Sequence, residues 1–147
     1  MSDTPPHFSR HARVRARRSA VQAIYQWEMT RASMNDVISE FIRERSELKK
    51  ADAGYFRELL LGTADRIEEL GGVVSPHLDR SLPELDPVER AILLLGTYEL
   101  MYRPEVPWRV IVNESVELAK MFGADQSHKY INGVMDKIAR VIRSTEV

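Results

Sequence analysis

The 147-residue chain contains no cysteine, and no apolar run approaches the ~20 residues that a membrane-spanning helix needs. The absence of thiols excludes disulfide bonds and thiolate catalysis, and it fits a reducing compartment. The basic amino-terminal stretch is not followed by the apolar segment of a secretory signal, so the sequence predicts a cytoplasmic protein. The composition, 44% hydrophobic and 29% charged, is typical of a folded globular domain.

The sequence also lacks the fingerprints of common catalytic sites. No phosphate-binding loop, nucleophile elbow, dinucleotide motif or zinc-protease motif occurs. His7 and His11 have the spacing of a metal-binding pair, but no third ligand lies near them in the sequence. Glu114 and Glu117 fall at the start of a predicted helix. We interpret them as charges that complement the helix dipole there, rather than as an acid–base pair. We therefore expect neither an enzyme nor a bound metal or cofactor.

What the chain does have is positive charge concentrated near its amino end. Within nine residues there are five arginines, namely Arg10, Arg13, Arg15, Arg17 and Arg18. Residues 1–31 carry six arginines against two acidic residues, a net charge of +4, while the remainder carries 15 basic and 20 acidic side chains, a net charge of −5. Such polarity is typical of a protein that holds a polyanion at one end.

Hydrophobic periodicity near 3.6 residues, with frequent helix-start and helix-stop signals, predicts the fold class. We expect an all-α fold, a compact bundle of six or seven helices with short connections. The chain would form a single domain over residues 1–147. Within it we expect a mobile tail at 1–8, an amino-terminal half of three helices at 9–80 and a carboxy-terminal half of three helices at 84–145.

Local signals set the expected helix boundaries. The predicted helices cover 9–29, 36–45, 52 onward, 87–101, 108–122 and 127–143. Asn35 is expected to cap the second helix, Gly71-Gly72 to bend or break the third, and Gly123 to end the fifth in a left-handed conformation. Asp86 gives the clearest start signal, as the N-cap of the fourth helix, and Glu89 is expected to reach back to the N–H of that cap.

Four polar side chains fall on one stripe of the first predicted helix. These are Arg15, Arg18, Gln22 and Tyr25, at positions i, i+3, i+7 and i+10. Arginine presents a fixed fork of donors to phosphates and base edges, and an aromatic ring offers a face on which an unpaired base can stack. We predict that this stripe and the arginine cluster bind RNA. The residues alone leave open an ordinary solvated face with a basic tail.

A second candidate patch lies where the fifth predicted helix ends and the sixth begins. It comprises Phe122, Gln126, Lys129 and Tyr130. Helix amino termini attract anions, because their first N–H groups are unpaired and the helix dipole is positive there. We predict a second set of RNA contacts at this corner. The alternative is that Phe122 and Tyr130 belong to the hydrophobic core.

Three stretches together resemble the NusB family of transcription antitermination factors. They read RRSAVQAIYQW at 17–27, LDPVERAILLLGTYEL at 85–100, and VP at 106–107 with VNESVELAKMFG at 112–123 and SHKYINGVMD at 127–136. They occur in the family's order and cover about residues 13–140. The combination is specific, although no single stretch is decisive.

The resemblance implies a function as well as a fold. NusB-like proteins are all-helical and bind the boxA element of ribosomal or phage transcripts with the small-subunit ribosomal protein NusE. That complex joins NusA, NusG and RNA polymerase and suppresses termination, and some family members also form homodimers. The resemblance assigns RNA contacts to the arginine-rich start, to Tyr25 and to the second patch, and a NusE contact to Glu89. In this chain Val14 interrupts the arginine run, and Arg18 stands where an acidic residue is common.

Besides a free-standing antitermination factor, a chain with these features could have one of two other functions. The same fold occurs as an appendage of ribosomal RNA methyltransferases, but this sequence has no glycine-rich loop for a methyl donor. A helical protein–protein adaptor is the remaining alternative, with arginines that keep the chain soluble or bind acidic partners. We favour the antitermination factor.

Overall fold

The computed structural model describes residues 10–146, and this part of the chain forms seven α-helices and no β-strand. The helices are α1 (Arg10–Thr30), α2 (Met34–Glu44), α3 (Ala53–Asp65), α4 (Ile67–Val74), α5 (Pro87–Tyr102), α6 (Trp108–Phe122) and α7 (Ser127–Ile142). The all-α prediction is confirmed, while the tail predicted at 1–8 lies outside the described residues. Among the helices of residues 10–146, none has the length and apolarity to cross a membrane.

Helix α5 is the centre of the fold. Residues Ala91 to Leu100 are buried on every side of the helix, which is typical of a helix surrounded by others. Helices α6 and α7 pack on α5 from one side, and α1, α3 and α4 pack on it as well. The buried side chains consequently form one continuous hydrophobic core that includes Phe41 and Phe56 from the amino-terminal helices.

The start of α5 follows the sequence signal in part. As predicted, the Asp86 carboxylate accepts hydrogen bonds from the backbone N–H groups of Val88 (2.8 Å) and Glu89 (3.4 Å). The predicted return of Glu89 to the cap is wrong. Its carboxylate instead accepts a hydrogen bond from the Ser127 hydroxyl, 2.7 Å away at the first position of α7. The Ser127 hydroxyl thus replaces the backbone N–H of Asp86 as the donor to Glu89. This hydrogen bond joins the starts of α5 and α7.

Two other predicted helix ends differ from the structure. Ser33, and not Asn35, caps α2, because its hydroxyl accepts a hydrogen bond from the N–H of Asp36 at 3.1 Å. The third predicted helix breaks at Arg66, between α3 and α4, whereas Gly71-Gly72 lie inside α4. The Arg66 guanidinium lies 4.3 Å from the centre of the Tyr102 ring, so a tertiary contact accompanies the break.

The end of α6 also corrects the sequence prediction. Gly123 is extended, with φ −85°, and Gln126 is the residue in the left-handed region, with φ 68°. A Cβ at Gly123 would lie 2.8 Å from the Ala119 carbonyl oxygen and 2.8 Å from the Ser127 hydroxyl oxygen. Glycine is therefore needed here for close approach of α7 and not for a left-handed cap.

Arg143, just beyond α7, ties the end of the chain to the central helix. Its buried guanidinium donates to the backbone carbonyls of Leu100 (2.8 Å), Val106 (3.0 Å) and Arg103 (3.1 Å). The last carbonyls of a helix have no partner within the helix, and a cation there also complements the dipole. Arg143 therefore caps α5 from a distance.

Three glycines interrupt apolar helical patterns, and the structure separates them. A Cβ at Gly62 would lie 2.2 Å from the Tyr98 ring, and one at Gly96 would lie 2.6 Å from the Met135 side chain. Both glycines therefore allow close helix packing. At Gly133 an added Cβ would meet no atom within 4 Å.

These surroundings predict opposite effects of alanine on stability. Gly62→Ala should destabilise the protein by about 1–3 kcal/mol, because the Tyr98 ring must move from a packed position. Gly133→Ala should stabilise it by about 0.5–1 kcal/mol, because alanine is the better helix former and has free space. Urea unfolding of both variants measures the two changes. Equal effects of the same sign would contradict this packing.

Candidate nucleic-acid interface

Helix α1 turns its arginines to different sides. The Arg17 side chain is 6% exposed, whereas that of Arg10 is 78% exposed. Arg13, Arg15 and Arg18 are half-buried. Arg10 and Arg17, seven residues apart, lie on nearly the same side of the helix, and Arg10 is exposed at the first residue of α1, whereas Arg15 lies on the side opposite Arg17.

Arg17 belongs to a buried ion pair. Its Nε and Nη2 atoms donate to the two carboxylate oxygens of Glu99 on α5, at 2.8 and 2.9 Å. The Tyr55 hydroxyl on α3 donates to the same carboxylate. Glu99 therefore receives donors from two helices, as a buried charge requires. The prediction of an RNA contact at Arg17 needs correction, because this side chain cannot reach a ligand without breaking the pair.

The pKa shifts of this cluster have the same origin. Burial by itself lowers the pKa of Arg17, but the hydrogen bonds and charge of Glu99 outweigh it and raise that pKa above its usual value. Burial, and then the neighbouring Glu99 charge, raises the pKa of Tyr55. Arg17 therefore stays charged and Tyr55 stays a proton donor at neutral pH.

Two more of the predicted RNA-binding arginines have partners within the protein. The Arg13 guanidinium lies 4.3 Å from the centre of the Tyr55 ring, and its Nε is 3.7 Å from an Asp52 carboxylate oxygen. Arg10 is 3.9 Å from Glu114 on α6. Arg13 is held on the protein surface, while Arg10 remains largely exposed.

The stripe predicted on the first helix lies at the outer surface of α1. In residues 10–146, neither Arg15 nor Arg18 forms an ion pair with a carboxylate, and the Tyr25 side chain is exposed. Gln22 is already engaged: its amide nitrogen donates to the Arg18 carbonyl at 3.2 Å, and its amide oxygen accepts from Arg45 at 3.2 Å. Gln22 can therefore position neighbouring groups more readily than it can contact a ligand.

A first groove, of about 430 Å³, runs between α1 and α6. It is lined by Arg10, His11, Val14, Arg18, Glu114, Glu117, Leu118 and Met121. Arginines on α1 face glutamates on α6, so the groove has mixed charge. The glutamates weaken its attraction for a polyanion.

A second groove, of about 480 Å³, follows the first along α1 and α6. It is lined by Val21, Gln22, Tyr25, Gln26, Met29, Thr30, Arg45, Val88 and Phe122. It contains Tyr25 and Phe122, which the sequence placed in separate patches. No carboxylate lines it, and Arg45 is its one cation among the described residues. This groove has the charge and the aromatic surface that suit single-stranded RNA.

The rest of the second patch lies outside both grooves. Gln126 and Lys129 are exposed. Tyr130 is half-buried against the core, and its hydroxyl donates to Asp79 at 2.9 Å. The hydrogen bonds of Arg80 and then of Tyr130 lower the pKa of Asp79 to about 2. The half-buried position of Tyr130 is compatible with both interpretations. Its side chain packs against the core, while Gln126 and Lys129 near it are exposed.

Within residues 10–146, no group of three or more histidine, aspartate or glutamate side chains is arranged to hold a metal ion. His7, one of the two spaced histidines, lies outside the described residues. The described surface combines cationic, amide and aromatic side chains along the second groove.

Comparisons with known proteins agree with this fold. The model of the NusB family matches residues 14–140. The transcription antitermination protein NusB of Shewanella denitrificans is 49% identical over 128 residues, which is 87% of this chain and 96% of that protein. The NusB protein of Edwardsiella ictaluri is 50% identical over 132 residues, covering 90% of this chain and 94% of its own length.

Solved structures show the same architecture. NusB of T. maritima superimposes with a TM-score of 0.77 at 30% identity, over 95% of this chain and 93% of that one. A crystal structure of the antitermination factors NusB and NusE in complex with dsRNA contains a chain that matches with a TM-score of 0.75. That chain is 24% identical, and the match covers 90% of this chain and 99% of it, so it supports the fold alone.

The buried pair predicts a sharp difference between neighbouring arginines. Arg17→Ala should destabilise the protein by about 3–5 kcal/mol, because Glu99 is left buried without its counter-charge. Arg15→Ala should change stability by less than about 0.5 kcal/mol. Urea unfolding measures both values.

A paired replacement serves as the control for that experiment. Arg17→Met combined with Glu99→Met removes both charges, so its cost should be smaller than the sum of the two single changes. An Arg17→Ala variant as stable as Arg15→Ala would show that the ion pair does not stabilise the fold.

Proposed function

This chain belongs to the NusB family, and we propose that it binds boxA RNA of nascent ribosomal transcripts together with NusE. The resulting complex would assemble on RNA polymerase with NusA and NusG and suppress termination. The protein would act by binding alone, without catalysis or a cofactor. Its relatives of about 50% identity carry the name transcription antitermination protein.

One observation supports RNA as the ligand more than any other. The stripe predicted on α1 ends at the second groove, which Gln22 and Tyr25 line and whose lining has a cation, two aromatic rings and no carboxylate. Arg15 and Arg18 supply charge for phosphates, and Tyr25 and Phe122 supply faces for unpaired bases. An adaptor for acidic proteins would need the cations but not the aromatic groove.

The protein partner is proposed from the family and from the position of one residue. A crystal structure of NusB and NusE in complex with dsRNA contains a chain with the same fold as this protein. Glu89 is half-buried at the joined starts of α5 and α7, where its carboxylate accepts from Ser127. We assign the NusE contact to this corner.

A homodimer formed through α1 would cover the arginines, so RNA should then shift the protein toward monomers.

Sequence preference for RNA separates the proposed function from the adaptor. Titration with a short boxA RNA should give tighter binding than titration with a scrambled RNA of the same composition, and NusE should enlarge the difference. Fluorescence anisotropy of labelled RNA measures these affinities. Equal binding of both RNAs, with and without NusE, would support the adaptor.

Salt dependence and two α1 arginines test the site. If about four phosphates are neutralised, affinity should fall roughly 50-fold between ~50 and ~200 mM salt. The double substitution Arg15→Ala, Arg18→Ala should weaken binding and reduce this dependence while the fold is kept.

The matched control is Arg43→Ala with Arg57→Ala, since both arginines are exposed and neither lines a groove. This control removes the same charge and should retain most of the affinity. Equal losses in the two double variants would show that binding depends on overall charge and not on the α1 stripe. Arg17 is unsuitable for this test, because its replacement also removes the buried ion pair.

A further inference from the structure

Arg45 is the residue that follows α2, and its side chain is fixed at the rim of the second groove. The guanidinium lies 4.4 Å from the centre of the Phe41 ring. Its Nη1 donates to the Gln22 amide oxygen at 3.2 Å. The Phe41 ring and the Gln22 amide hold the cation, which lines the same groove as Tyr25 and Phe122. The end of α2 thus contributes a positioned charge to a surface built from α1 and α6.

This charge is not neutralised within the described part of the protein. Arg45 forms no ion pair there, whereas its neighbour Arg43 is 3.4 Å from Glu44. A guanidinium has five N–H donors, and the bond to Gln22 uses one of them. The remaining donors can take the oxygens of a phosphate, a geometry that suits the planar fork of arginine.

The groove beside Arg45 has the size and lining for part of a nucleotide chain. Its volume of about 480 Å³ lies within the ~300–1,000 Å³ typical of ligand pockets. Tyr25 is 41% exposed and Met29 is 50% exposed, so apolar surface is open to solvent along one wall. Unpaired bases bury such surface by stacking, while their phosphates remain outside and need cations.

We propose that Arg45 contacts RNA, and that the groove accepts an unpaired base whose phosphate Arg45 binds. This inference rests on the proposed function and names a site within it. Gln22 is then a positioning residue, because it acts through Arg45 and its own amide groups are already occupied. An apolar segment of a protein would fill the same groove but leave Arg45 without a counter-charge, so RNA is the occupant that satisfies both features.

Removing the charge of Arg45 tests the phosphate contact. Arg45→Gln should weaken boxA binding about tenfold, the size of one charge-assisted hydrogen bond. With one phosphate contact fewer, the loss of affinity between ~50 and ~200 mM salt should fall from roughly 50-fold to roughly 20-fold. The control is Arg43→Gln, which removes the same charge two residues earlier, inside α2, and should change neither value. Circular dichroism checks that both variants keep the helical fold.

Removing one base at a time tests the groove. RNAs that each carry one abasic position should include one that binds at least about fivefold more weakly than the intact RNA, as loss of a stacked base predicts. In Phe122→Ala that same abasic RNA should show little further loss, because the base and the ring act as a pair. Additive losses would contradict stacking in this groove.

The outcomes separate this inference from the function on which it rests. If Arg45→Gln binds boxA with unchanged affinity and salt dependence while the parent protein still prefers boxA over the scrambled RNA, the inference is wrong and the proposed function stands. If the parent protein shows no such preference even with NusE, the proposed function is wrong. If Arg45→Gln and Phe122→Ala weaken NusE binding but not RNA binding, the groove takes a protein and the inference is wrong.

Discussion

The buried pair between Arg17 and Glu99 lies on the buried face of α1, and together with apolar residues such as Ala16 and Ile24 it sets which side of the helix faces the solvent. Each residue advances a helix by about 100°, so holding one side chain inside the fold sets the direction of all the others. With Arg17 bound by both carboxylate oxygens at 2.8 and 2.9 Å, the stripe of Arg15 and Arg18 faces outward. Tyr55 adds a third helix to the same carboxylate. The orientation of the arginine-rich helix therefore follows from this buried ion pair and from the apolar face of α1 together.

This arrangement changes how the charge of the amino-terminal region should be counted. The sequence places a net charge of +4 in residues 1–31, but the protein itself uses part of it. Arg17 is buried, Arg13 packs on Tyr55 beside Asp52, and the first groove contains glutamates. The cations left for a polyanion are Arg15 and Arg18 on α1 and Arg45 at the end of α2. In the described part of the chain, the second groove combines a cation with aromatic surface and has no carboxylate in its lining, and this combination carries the assignment of RNA.

The sequence predicted several features of the structure that depend on residues close to one another along the chain. Asp86 and the proline after it start α5 as expected, and the apolar periodicity identified the all-α fold. Some local predictions also failed, such as the Asn35 cap and the left-handed Gly123, and others failed because the partner of a side chain lies far along the chain. Arg17 pairs with Glu99, 82 residues away, and nothing in an arginine-rich run indicates which arginine will be buried. For the same reason, the sequence did not single out Arg45. Its contact with Gln22 forms only because the fold places the end of α2 beside α1.

The most direct test observes the arginine side chains themselves. In ¹H–¹⁵N spectra of the Nε–Hε groups, addition of boxA RNA should shift the signals of Arg15, Arg18 and Arg45. The Arg17 signal should be displaced by its bond to Glu99 before RNA is added, and it should stay unchanged afterwards. A large RNA-dependent shift of Arg17, with Arg15 and Arg18 unaffected, would contradict the account, because it would mean that the buried pair opens and that the exposed stripe does not bind.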